Sequence, residues 1–164
     1  MSTPTGRVEV RDGEHVLVLT RTFHAPLEDV WAAVTEPDRL ARWIGTWTGD
    51  PASGSVTWRM LFEGDDPGDE MTIRACEPPH RLYVTSRVGE ELWRYDLDLS
   101  HADGVTTLTF VQPGIAPGLV GEVGPGWDYY LDRLVAAETG GDVGAIDFDR
   151  DYYPAMIEHY RSSD

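Results

Sequence analysis

Apolar residues recur at every second position from Thr46 to Gln112, and then at helical spacing from Trp127 to Val135. No other feature constrains the fold as strongly as this switch of period. Val56, Trp58, Met60 and Phe62 alternate with Thr57, Arg59 and Leu61, and Met71, Ile73 and Ala75 with Thr72, Arg74 and Cys76. Leu82, Val84 and Ser86 alternate with Tyr83, Thr85 and Arg87. Trp93, Tyr95, Leu97 and Leu99 alternate with Arg94, Asp96 and Asp98, and Leu108 and Phe110 with Thr107 and Thr109. A strand sends successive side chains to opposite faces, so each apolar set shares one face. The runs are separated by the turn segments 50–54, 63–68, Pro78-Pro79 and Ala102-Asp103-Gly104. Such short links predict an antiparallel meander of about six strands, with Trp47 in a short strand ahead of the first turn.

Trp127, Tyr130, Leu131, Leu134 and Val135 then fall at i, i+3, i+4, i+7 and i+8, the stripe of an amphipathic helix that Gly140-Gly141 ends. Segment 115–125 holds Gly118, Gly121, Gly124, Pro117 and Pro125 and reads as a connector. Upstream, residues 1–14 read as a flexible lead-in and Val16 to Phe23 as a strand. Pro26 with Glu28 and Asp29 opens a first helix, with Leu27, Val30, Trp31 and Val34 on one face. Thr35-Glu36-Pro37-Asp38 reads as a second helix start, with Thr35 as N-cap, and that helix buries Leu40, Trp43 and Ile44. The apolar face of the sheet is the one partner large enough for the long helix, which makes the class α+β. The 164 residues form one domain, with its core at 15–139 and a tail at 140–164 that carries a short helix over 151–160.

The chain carries 29 acidic and 13 basic residues, all of the latter Arg, for a formal charge of −16. A nucleic-acid partner would need a basic face, and an anionic membrane surface would repel this chain; neither is expected. Cys76 has no internal partner, which suits a reducing, cytoplasmic location. Met1 to Arg7 lacks the apolar run of a signal peptide, and no apolar stretch approaches the ~18 residues of a membrane span.

The order strand, two helices, meander, long helix carries specific words. They are Phe23-His24-Ala25-Pro26-Leu27-Glu28-Asp29-Val30-Trp31-Ala32-Ala33-Val34-Thr35-Glu36-Pro37, then Leu40-Ala41-Arg42-Trp43-Ile44-Gly45, then Gly126-Trp127. Over residues 15–139 the chain resembles the START-like, SRPBCC or helix-grip superfamily (the Bet v-like fold). Within it, the chain is similar to the bacterial branch named for the activator of heat-shock protein 90 ATPase. The resemblance implies a curved sheet gripping a long helix with a cavity between them. It implies no shared catalytic motif, because fold does not imply function.

Trp43, Trp58, Met60, Met71, Trp93, Tyr95, Phe110, Trp127, Tyr130, Leu131 and Leu134 are the expected lining of that space. Either they surround an apolar pocket or the rings fill the core themselves; Trp31 is read as core. Asp147, Asp149, Asp151 and Glu158 fall at positions 1, 3, 5 and 12 of a calcium loop, but Tyr152 occupies the position that needs Gly. The five histidines are scattered and no Gly-x-Ser-x-Gly elbow occurs, so no metal, cofactor or catalytic set is expected. Arg21 shares strand parity with Leu17, Leu19 and Phe23, either as an inward polar anchor, paired to a buried acid, or at a frayed end. The first expectation for function is a binding protein for a small hydrophobic or aromatic molecule. A cyclase- or hydrolase-like enzyme using Tyr95, Arg21 or Tyr130 in the same cavity is the alternative. A chaperone ATPase-stimulating partner, implied by the family name, is the third, and a second copy of the chain stays open as a further partner.

Overall fold

The computed structural model describes residues 3–64, 66–88 and 90–161. An eight-stranded antiparallel sheet runs in the order β1-β2-β8-β7-β6-β5-β4-β3. The strands are β1 (Arg7–Arg11), β2 (Glu14–Phe23), β3 (Gly45–Thr48), β4 (Ser55–Met60), β5 (Asp69–Glu77), β6 (Arg81–Val88), β7 (Glu91–Ala102) and β8 (Val105–Pro113). From β3 to β8 each strand pairs with the next, which is the expected six-strand meander. The lead-in is corrected: residues 7–11 pair with β2. Asp12 and Gly13 both hold positive φ, 51° and 81°, the backbone a two-residue hairpin turn requires.

Two helices, α1 (Leu27–Thr35) and α2 (Pro37–Leu40), link β2 to β3. Pro26 is the N-cap of α1, and Glu28 and Asp29 sit in its first turn. Glu36, rather than Thr35, is the N-cap of α2; the Thr35 hydroxyl donates back to Trp31 O at 2.7 Å.

The long helix α3 spans Val120–Thr139 and lies against the sheet's apolar face. It begins seven residues before Trp127, so most of the expected connector is helix. The glycines that read as breakers are there for packing. A Cβ on Gly124 would lie 2.4 Å from the Tyr160 ring, and one on Gly121 would lie 3.2 Å from Arg161. These small positions let the C-terminal helix α5 (Ile157–Arg161) approach the α3 backbone closely. The tail is two short helices, α4 (Phe148–Asp151) and α5, with Pro154 between them, instead of one over 151–160. Tyr152, Met156 and Tyr160 bring it into the core.

The packed core joins Leu17, Leu19 and Phe23 of β2, Leu108 and Phe110 of β8, Val30, Ala33 and Val34 of α1, and Leu131 and Leu134 of α3. Within it sits a polar knot. Arg21 Nη2 lies 2.9 Å from the fully buried Asp128 and 3.0 Å from Asp132. Thr5 and the Tyr160 hydroxyl also donate to Asp128, and Tyr152 donates to Asp132 at 2.7 Å. Asp128 and Asp132 fall outside the apolar stripe of α3 that Trp127, Tyr130, Leu131 and Leu134 form, yet the N-terminal segment and the tail cover Asp128. Of the readings open for Arg21, pairing with a buried acid is the one the structure holds.

Candidate functional site

Beyond this core, the same sheet face and α3 enclose a cavity of about 1010 Å³. Strands β4 to β7 supply its floor by strict period two: Trp58 and Met60, Met71 and Ile73, Leu82, Val84 and Ser86, then Trp93, Tyr95 and Leu97. Of the eleven side chains expected here, ten line the cavity: Trp43, Trp58, Met60, Met71, Trp93, Tyr95, Phe110, Trp127, Tyr130 and Leu131. Leu134, one turn along α3, is fully buried in the packed core and does not line it. Trp31, expected as core, borders the cavity.

The walls are held by the polar tips of aromatic rings. The Trp43 indole donates to Ala33 O at 3.0 Å and the Trp47 indole to Thr35 O at 2.8 Å. Both acceptors lie in the last turn of α1, where carbonyls lack helical partners. The Trp127 indole donates to the buried Gln112 side chain at 2.9 Å, and its ring centroid lies 4.1 Å from that of Phe110 and 5.6 Å from that of Tyr95. The Trp58 indole meets Met60 Sδ at 3.1 Å.

At the opening, the segment between β4 and β5 folds against α3. The Tyr130 hydroxyl donates to Glu63 at 2.5 Å, and the Arg133 guanidinium sits 4.1 Å from the Phe62 ring centroid. Arg133 also donates to Trp43 O at 2.9 Å. Burial raises the Tyr130 phenol well above its ordinary 10.0, and the Glu63 hydrogen bond adds to it. Burial likewise raises Tyr95, with the Glu63 and Asp69 carboxylates adding to it. Both phenols stay protonated in ordinary buffers; Tyr130 donates to Glu63, and Tyr95 is available as a donor rather than a base. Tyr95 and Ser86 line the cavity, and among the described residues no group hydrogen-bonds either hydroxyl. Val84 stands opposite Tyr95 and Ser86 opposite Trp93, so the two hydroxyl residues are diagonal neighbours on the cavity face.

Several lining residues escaped the sequence. Cys76 belongs to an expected outward set, but a register shift between Ile73 and Ala75 inserts one residue and returns Cys76 to the cavity face, opposite Leu82. Trp47 pairs with Trp58 across the 50–54 turn, a symmetry visible in the sequence. Asp69, the first residue of β5, shares the parity of Met71, while Glu63, Glu122, Phe148 and Asp149 come from turn, connector and tail, where no periodicity marks a face. Arg21 lies outside the lining, so it is removed from the cavity's polar groups. The calcium-loop spacing resolves into local bonds: Asp147 caps Arg150 N at 3.0 Å, and Asp151 pairs with Arg150. Among the described residues no three His, Cys, Asp or Glu side chains gather as a metal site. Among them, too, no helix is long and apolar enough to cross a membrane.

No curated protein matches the chain. Among solved structures, CalU16 from Micromonospora echinospora is 24% identical, with a TM-score of 0.73 over 97% of this chain and 95% of that one. The conserved protein of unknown function EF2215 from Enterococcus faecalis is 19% identical, with a TM-score of 0.70 over 96% and 88%. DynU16, from the dynemicin biosynthetic locus, is 28% identical with a TM-score of 0.66; the match covers 78% of this chain but 49% of DynU16. The family model described as Activator of Hsp90 ATPase homolog 1-like protein matches residues 24–138, from the strand–helix junction through α3. Helix-grip architecture and sequence match agree: the chain belongs to the Activator of Hsp90 ATPase homolog 1-like family.

Proposed function

We propose that this chain binds a small apolar or aromatic molecule between its sheet and α3. The carrying observation is the cavity itself. Its volume, about 1010 Å³, falls at the upper end of the roughly 300–1,000 Å³ of ligand pockets. Trp58, Met60, Met71 and Trp93 stay only half-buried along it, although they belong to the sheet's apolar face. Apolar surface left unfilled inside a fold is surface a ligand can bury. The similarity to DynU16, a protein of a biosynthetic locus, supports a small-molecule role.

Native mass spectrometry tests this directly. The freshly purified protein is expected to carry a non-covalent adduct absent from the denatured mass, or to take one up from a neutral dansyl amide. Met71→Trp, which places an indole in the cavity, is expected to abolish that uptake. A bare polypeptide mass in both experiments overturns the proposal.

An enzyme reading draws on the unpartnered Tyr95 hydroxyl. Held protonated beside an apolar ligand, it could donate to a carbonyl oxygen that gains charge during a cyclisation or hydrolysis. Turnover that survives Tyr95→Phe unchanged removes that role.

A further inference from the structure

The opening of the cavity is chemically one-sided. Glu63, Asp69, Glu122 and Asp149 all line it, and all four are solvent-exposed, so they form its rim. They come from separate elements: the β4–β5 segment, the start of β5, the first turn of α3 and α4. Among the described residues the lining includes no Arg and no His. Arg133 approaches the same opening, but its guanidinium lies against the Phe62 and Tyr129 rings and is not part of the lining.

Two further features give this charge a target. Asp69 stands directly opposite Trp58 across the β4–β5 pair, so a carboxylate and an indole share one position on the cavity face. That combination suits an ammonium group, which gains from both the charge and the ring face. Deeper inside, Ser86 is only 7% exposed, lines the cavity, and its hydroxyl has no protein partner among the described residues. Its hydroxyl faces the cavity, where a ligand's polar atom can pair with it.

We propose that the cavity selects ligands whose apolar or aromatic body carries a basic amine, with the body over Trp58 and Trp93 and the amine at the Asp69 and Glu63 rim. The inference rests on the cavity being a ligand site. Ligands that end in a carboxylate, such as fatty acids, meet the same rim as a repulsive field. The Asp69 and Glu63 charges reach inward, since both raise the Tyr95 phenol.

Three dansyl amides of one chain length, ending in a primary amine, a methyl or a carboxylate, separate the possibilities by fluorescence titration. The amine is expected to bind about tenfold tighter than the methyl compound at low salt, and the carboxylate weaker than both. The amine's advantage should shrink as salt rises, because rim charges are screened. It should also fall to about threefold or less in Asp69→Asn/Glu122→Gln, two exposed positions whose change spares the core. The salt series on the unaltered protein gives the same answer without any variant. Equal binding of all three compounds overturns the charge selection and leaves the cavity as a ligand site. Tightest binding of the carboxylate overturns the selection outright. If none of the three binds, both the selection and the ligand site fall.

Discussion

One row of side chains crosses the sheet from a packed end to an open one. Leu19 stands opposite Phe110, Phe110 opposite Leu97, Leu97 opposite Leu82, and Leu82 opposite Cys76. Leu19 and Phe110 are buried, Leu97 and Leu82 are half-buried, and Cys76 is exposed. The face is the same and the residue types are similar. What differs is the covering. Over β2 and β8 lie α1, α3 and the tail, whereas over β4 to β6 the cavity takes their place. So the apolar pattern of a strand tells which side faces inward, not whether anything fills that side. One half of this sheet serves stability, and the other holds surface in reserve.

The sharpest break in that contrast should come from the polar knot of the packed half. Asp128→Ala leaves Arg21 buried beside the partly exposed Asp132 alone, and is expected to cost about 3–5 kcal/mol by denaturant titration. A loss below about 1 kcal/mol would mean that water or Asp132 fully compensates. Next comes a direct pair across the row. Leu19→Ala is expected to cost about 2–5 kcal/mol, whereas Met71→Ala, which trims a side chain already facing open space, should cost under about 1 kcal/mol. Equal losses would show that the hollow half is filled in solution.

A further effect appears at high pH. Tyr160 in the packed half and Tyr95 and Tyr130 around the cavity are all raised from 10.0, chiefly by burial. Unfolded tyrosines then lose their protons first, so the unfolded state binds fewer protons. Stability should hold below the ordinary value of 10 and fall as pH rises past it, by up to ~1.4 kcal/mol per pH unit for each such tyrosine. Tyr95→Phe should make that fall shallower, and a saturating cavity ligand should move its onset upward. An unchanged slope in Tyr95→Phe would place that phenol in contact with bulk water.

The cavity floor was legible because a strand's period of two is strict: Trp58, Met60, Met71, Trp93 and Tyr95 needed only correct parity. Cys76 was lost where one inserted residue reverses that parity, and the reversal has no composition of its own. Asp12-Gly13 carries the same hairpin signal as Asp103-Gly104, and both pairs have positive φ. Asp103-Gly104 joins two long alternating runs and so signals a turn, whereas Val8 and Val10 ahead of Asp12-Gly13 are too short a run to stand out. The start of α3 was hidden for the opposite reason. Gly121, Gly124 and Pro125 argue locally against a helix, and only the approach of Tyr160 explains them. Asp128 looked like a solvent residue because nothing in its own helix reveals that Thr5 and Tyr160 cover it.

The meeting of Gly6 with Tyr160 has a consequence for the order of folding. Gly6 N donates to the Tyr160 hydroxyl at 3.0 Å across a sequence separation of 154. His159 Nε2 lies 2.8 Å from Gly6 O in the same place. The meander from β3 to β8 is made of neighbouring strands, whose pairing closes only short loops. Loop closure costs more as the loop lengthens, so the 154-residue contact is the least favourable to form early. The hollow half is therefore the local part of the chain's topology. The packed half, with its Asp128 knot, is the clasp that closes over it.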